Sequence, residues 1–149
     1  GVIMDNFEEQ LPSFDAAKRR LHTYKLLDVI NYLYRRRNIA IYRGKFEEVE
    51  EINKLGNICS DMMMLYDYYK SLHWQDRTRS QLAFQPNCGS CGRPAEESHH
   101  PKYFGVLFRE EIGTDLTSVC RNCHQTIHEY IDTVTGKEII EFNEIKKVN

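Results

Sequence analysis

The chain holds no apolar run approaching the ~18–20 residues that a membrane-spanning helix needs, which excludes a helical membrane protein. Its first residues, GVIMDNFEEQLP, lack the basic start and long apolar stretch of a secretory signal, so the sequence predicts a cytoplasmic chain. Glycine and proline are sparse, 8 and 4 among 149 residues, and no segment repeats. That excludes solenoid and low-complexity architectures. An excess of positive charge is also missing, with 20 Lys/Arg against 22 Asp/Glu and a net charge of −2. The total is not that of a strongly basic nucleic-acid binder. With 41% hydrophobic and 28% charged residues, the chain has enough apolar material for a packed core.

The balanced total hides a segregation. Between Pro12 and Lys45 nine Lys/Arg face two acids, a local balance of +7, whereas Phe46 to Asp67 carries six acids and one Lys, a balance of −5. Charge asymmetry of this kind points to a partner. The same stretch has helical spacing. Ser13 precedes Asp15 as a helix N-cap would, and Leu21, Leu27, Ile30, Leu33 and Tyr34 recur every three or four residues. After a weak point near Arg37-Asn38 or Arg43-Gly44, the spacing resumes from Val49 through Ile52, Leu55, Cys59, Met62, Met63, Tyr66 and Tyr69 to His73. Two long amphipathic helices joined as an antiparallel hairpin are expected over residues 1–85. They would pack on the rest of the chain or on a second copy, with the Met62–Met64 run and its tyrosines as core or dimer interface.

Cysteine placement carries more than cysteine number. Cys59 falls within the helical pattern, while the other four form the pairs Cys88-Gly-Ser-Cys91 and Cys120-Arg-Asn-Cys123. A Cys-x-x-Cys turn presents two thiolates to one tetrahedral ion, and two such turns close a four-sulfur structural zinc site. Disulfide or redox use is the alternative. Four of the six histidines share this short stretch: His99, His100, His124 and His128. His124 and His128, four apart on a predicted helix, lie on one face and suit a common ion. His99 and His100 are neighbours on a predicted strand, so they point to opposite faces and take different roles. One ligates a metal, and the other stands near it as a general base. In the bland alternative, His99 and His100 are surface residues and His124 replaces a cysteine as a zinc ligand.

At these residues the chain resembles a known family. Glu97-Ser-His-His-Pro-Lys-Tyr, Glu110-Glu111 and Asp115-Leu-Thr-Ser-Val-Cys-Arg-Asn-Cys-His-Gln-Thr-Ile-His are similar to an HNH endonuclease module. The resemblance implies a ββα-metal fold around one divalent ion, stapled by zinc at Cys88, Cys91, Cys120 and Cys123. It makes His100 the general base, His99 and His124 metal ligands, and His128 a further ligand or phosphate contact. Asp115 stands where the family has an asparagine that braces the loop, and is expected to share in catalysis, in ligation or in holding the loop. Glu110 and Glu111 fall where related sequences carry a glutamate, without an assigned role.

The expected protein is therefore α+β: a helical arm over 1–85, the module over 86–132 and a tail over 133–149. The expected activity is metal-dependent hydrolysis of DNA, with RNA not excluded, as in phage, mobile-element or defence nucleases. Mg²⁺ or Mn²⁺, or another divalent ion, would serve the histidines. Arg93, Lys102, Arg109 and Arg121 are the expected phosphate contacts inside the module, and Arg35, Arg36 and Arg37 those on the arm. In the alternative, the arm cations form a solvated face paired with the acidic start of the next helix at Glu47, Glu48, Glu50 and Glu51. The arm could instead join a second copy or a partner protein. Trp74 reads as a packing anchor between arm and module. The alternative function is a catalytically inactive, zinc-stapled module that binds nucleic acid or protein as a regulator.

Overall fold

The computed structural model describes residues 11–129. The tail over 133–149, the last residues of the expected module and the first ten residues of the expected arm lie outside the described residues. The first helix, α1 (Phe14–Ala17), starts at Ser13, whose Oγ accepts from the Ala16 N–H at 3.2 Å. It does not run on as the spacing predicts. A turn and a short 3-10 helix (Leu21–Thr23) follow, folding Phe14 and Leu21 into the core. α2 (Leu26–Tyr42) then begins after Lys25.

A three-residue connection leads to α3 (Phe46–Met62), and α2 and α3 form the expected antiparallel hairpin. Val29, Ile30 and Leu33 of α2 share a core with Ile52 and Cys59 of α3. Cross-links between the two helices are polar. Arg36 Nε donates to Glu48 at 2.9 Å, and Arg37 Nη1 donates to Asn53 Oδ1 at 2.7 Å.

The second helix is shorter than its spacing predicts. It stops at Met63, whose backbone is extended. A short α4 (Leu65–Tyr68) and a third long helix, α5 (Leu72–Phe84), follow. Ser71 caps α5 by accepting from the Trp74 N–H at 3.1 Å, which stops the apolar pattern being read as one rod. Of the run expected as core or interface, Tyr68 is buried and Met63 packs on the core, while Met62, Met64 and Tyr66 are exposed.

Strands β1 (Glu97–His99) and β2 (Thr117–Val119) form a two-stranded antiparallel sheet in which His99 faces Thr117. A further helix, α6, covers 121–129. The fold is α+β and mostly helical. No helix among the described residues is long and apolar enough to cross a membrane. α5 joins the helices to the sheet through two glutamines. Gln81 Oε1 accepts from the Gly113 N–H at 2.7 Å, and Gln85 Oε1 accepts from the Ser118 N–H at 2.9 Å.

The loop between the strands enters the helical core. Leu107 and Phe108 are buried there, and Phe108 adopts φ 73°, a left-handed backbone that bulky residues rarely take. Its N–H donates to Tyr68 Oη at 2.8 Å, and its carbonyl accepts from Arg37 Nη1 at 2.6 Å. The ring stacks on His73, with the Arg37 guanidinium 4.2 Å from its centroid. It also lies against Gly56 of α3, where an added Cβ would collide with it. Gly56→Ala should therefore lower stability by about 1–3 kcal/mol, the usual cost of overpacking, measurable by urea unfolding.

Candidate functional site

The first site is the cysteine cluster. Cys88 opens a tight turn in which its carbonyl accepts from the Gly92 N–H at 2.9 Å and its N–H donates to the Arg93 carbonyl at 2.6 Å. Gly92 takes φ +79°, which closes the turn without a side-chain penalty. Cys120 and Cys123 sit at the start of α6, and β2 delivers Cys120 to the turn. The four sulfurs lie within 4.8 Å of one another, and Cys91 Sγ stands 3.7 Å from Cys120 Sγ. Sulfurs bound at ~2.3 Å to one tetrahedral ion would be separated by about 3.8 Å. A disulfide would bring them to about 2 Å. These four cysteines could hold a metal ion, and their chemistry suits zinc.

The thiols also titrate apart. Burial raises the cost of a Cys88 thiolate, but the N–H groups of Cys120, Cys91 and Ser90 outweigh it and bring Cys88 down to about 6. Ser90 pulls Cys123 down, but the neighbouring thiols Cys120 and Cys91 outweigh it and push Cys123 up to about 12. Four thiolates this close need a cation among them.

The second site uses the other end of the same sheet and helix. His99, His124 and His128 each bring a ring nitrogen within 4.8 Å of the others. The four-residue spacing on α6 puts His124 beside His128, with ring centroids 4.8 Å apart, and β1 places His99 opposite them at 5.2 and 5.7 Å. Glu97 accepts from His124 Nδ1 at 2.8 Å. That leaves His124 Nε2 for an ion, in the carboxylate–histidine arrangement usual at metal sites. His124 and then Arg121 hold the Glu97 carboxyl below its ordinary range. His99 Nδ1 is buried and has no hydrogen-bond partner among the described residues. Such an orphan costs free energy unless a bound group answers it. Burial and the neighbouring His124 and His128 lower its affinity for a proton.

His100 does not join this triad. It lines a cleft of about 480 Å³ together with His124, His128, Tyr69, Trp74 and Tyr103. Trp74 stacks on its ring at 4.6 Å and so joins α5 to the module. His100 Nε2 bonds Glu110 Oε2 at 2.8 Å. Glu110 also accepts from Tyr68 Oη at 2.6 Å, and its other oxygen lies 2.6 Å from His73 Nε2. Beyond His73, Arg37 Nη2 lies 2.6 Å from Nδ1. Burial alone would raise the Glu110 carboxyl, but His100, His73 and Tyr68 outweigh it and hold it well below the usual range. Burial lowers His73 and drives Tyr68 far up. Burial and then Arg77 bring Arg37 down to about 10, still cationic at neutral pH. A different hollow of about 410 Å³, lined by Pro12, Leu21, Val29 and Tyr32, brings no cysteine or histidine together.

No family model, curated protein or solved structure matches this chain.

Two of the expected phosphate contacts are corrected by burial. Arg36 and Arg37 are 2% and 8% exposed and hold the helices and the Phe108 loop together, so they are not offered to a phosphate. Arg35, Arg93, Lys102, Arg109 and Arg121 are exposed. Arg121 also engages Glu97 at 3.2 Å and Glu96 at 3.8 Å. Asp115 is not among the residues of the histidine cluster or of the cleft that His100 lines. Its Oδ2 accepts from the Glu111 N–H at 2.8 Å, and its N–H donates to the Glu111 carbonyl at 2.9 Å, so it braces the loop. Glu110, His73 and Tyr68 were not readable as site residues. The available signal was the family resemblance, which puts Glu110 where related sequences carry a glutamate but assigns it no role. Cys120→Ser should lose the cysteine-bound zinc and the hydrogen-exchange protection of the β-hairpin. His124→Ala should keep one zinc per chain, read by elemental analysis.

Proposed function

We propose that this chain is a metal-dependent endonuclease of HNH type that hydrolyses phosphodiester bonds of DNA. One observation supports this above the rest. A single cleft gathers His124 and His128, which with His99 form a three-imidazole ligand set, beside a separate histidine, His100, tied to a carboxylate and not to that set. Ligands and base are thus divided among four histidines on one β-hairpin and its helix.

A divalent ion bound there would polarise the scissile phosphate and offset charge on the leaving oxygen. Mg²⁺ or Mn²⁺ suits the chemistry, and three imidazoles also accept Co²⁺, Ni²⁺ or Zn²⁺. The chain's own groups do the rest. Glu97 orients His124, while Tyr69, Trp74 and Tyr103 wall His100 from bulk water. His100 takes a proton from the attacking water. The water oxygen bonds phosphorus, the bond to the 3′ oxygen breaks, and that oxygen takes a proton from solvent. The products carry 5′-phosphate and 3′-hydroxyl ends. Of the expected phosphate contacts, Arg35, Arg93, Lys102, Arg109 and Arg121 are exposed and would guide the backbone. The four cysteines would carry a structural zinc that fixes the hairpin to α6.

A second reading has its own support. Glu96 and Glu97 line the cleft, an acidic edge that suits a phosphate poorly without a cation. A zinc-stapled binding module for nucleic acid or protein would tolerate it. Plasmid cleavage with Mg²⁺ or Mn²⁺ separates the two. His100→Ala, still holding zinc, should lose about 10²–10⁴-fold in rate, the usual contribution of a general base. Equal cleavage by variant and wild type, or none by either with any divalent ion, would leave the binding module as the better account.

A further inference from the structure

We infer that Glu110 is a positioning residue that fixes the tautomer of His100, placing the hydrogen on Nε2 and leaving Nδ1 as the bare proton acceptor. The role of His100 as base rests on the function proposed above, whereas the tautomer assignment stands on geometry alone.

The assignment follows from counting donors. Glu110 is 2% exposed and its carboxylate, when ionised, only accepts hydrogen bonds. Every group against it must then donate: Tyr68 Oη, His73 Nε2 and His100 Nε2. For His73 and Tyr68 a second neighbour agrees with this. Arg37 has donors and no acceptor, and its Nη2 faces His73 Nδ1. His73 is therefore neutral with its hydrogen on Nε2, aimed at Glu110. The Phe108 N–H donates to Tyr68 Oη, so the Tyr68 hydroxyl hydrogen is free to turn to Glu110. A neutral His100 with Nε2–H has an unprotonated Nδ1. Among the described residues the ring's hydrogen bond is through Nε2, and the ring lines the cleft, so Nδ1 is the nitrogen left to accept a proton there.

Substituting glutamine for Glu110 gives an unusually sharp test, because its amide can be oriented in one way only. Arg37 pins His73 as a donor at Nε2, so the Gln carbonyl oxygen must face His73. The amide NH₂ then faces Tyr68 and His100. His100 Nε2 must accept, and its hydrogen moves to Nδ1. An isosteric change at a buried position thus removes the bare nitrogen without removing the histidine.

The experiment is long-range ¹H–¹⁵N correlation of the histidine rings in the zinc-loaded full chain, without added Mg²⁺ or Mn²⁺. Wild type should show His100 with Nε2–H and a bare Nδ1. Glu110→Gln should show His100 with Nδ1–H, while His73 keeps Nε2–H in both and reports that the core is intact. In the cleavage assay Glu110→Gln should lose kcat by about the factor lost in His100→Ala, roughly 10²–10⁴-fold, with KM little changed. Nδ1–H on His100 in wild type overturns the inference without any variant, so misfolding of Glu110→Gln does not shelter it. An unchanged His100 tautomer in a folded Glu110→Gln overturns it equally. A chain that cuts nothing yet shows the switch keeps the tautomer assignment and loses the nuclease reading. A chain that cuts and shows no switch does the reverse.

Discussion

An ionised carboxylate buried at Glu110 sets the terms for the rest of the molecule. Removing such a group from water costs several kcal/mol, even after relaxation, unless donors surround it. Here those donors come from distant parts of the chain: Tyr68 from α4, His73 from α5 and His100 from the end of β1. Arg37 of α2 completes the set through His73 and supplies the opposite charge. Helices and hairpin therefore fold around one satisfied ion, and the ring of His100 is fixed by the same bonds.

The Phe108 loop has to reach inward for this to happen. Its left-handed backbone is held from both ends, by Tyr68 on the N–H and by Arg37 on the carbonyl, and its ring fills the space that Gly56 leaves open. Strain at one residue is offset by two hydrogen bonds, a cation–π contact and full burial. The helices are thus more than an appended arm. They supply the wall of the cleft through Tyr69 and Trp74 and the charge that keeps Glu110 satisfied.

What could be read from the sequence was whatever depends on spacing within one element. The Ser13 cap, the α2–α3 hairpin, the Cys-x-x-Cys turns and the facing of His124 and His128 are all local. Long-range pairing was not legible. The acidic start of α3 suggested partners for the arm cations, and Arg36 does pair with Glu48, but helical periodicity gives no sign that Arg37 is inserted behind His73. The break at Met63 lacks glycine and proline, and its one local sign is Ser71, an N-cap for the next helix. Asp115 was legible as a loop brace among several options, while the partners of Glu110 lie 10 to 42 residues away from it in the chain.

The claim on which the functional account turns is that four histidines divide into three ligands and one base on a hairpin stapled by cysteine-bound zinc. Anomalous X-ray diffraction from crystals of the zinc-loaded chain soaked in Mn²⁺ tests it most directly. Data at the zinc and manganese edges should place zinc among Cys88, Cys91, Cys120 and Cys123. Manganese should lie among His99, His124 and His128, with His100 outside its coordination and still bonded to Glu110. A manganese ion ligated by His100, or no second ion at saturating Mn²⁺, would contradict the account.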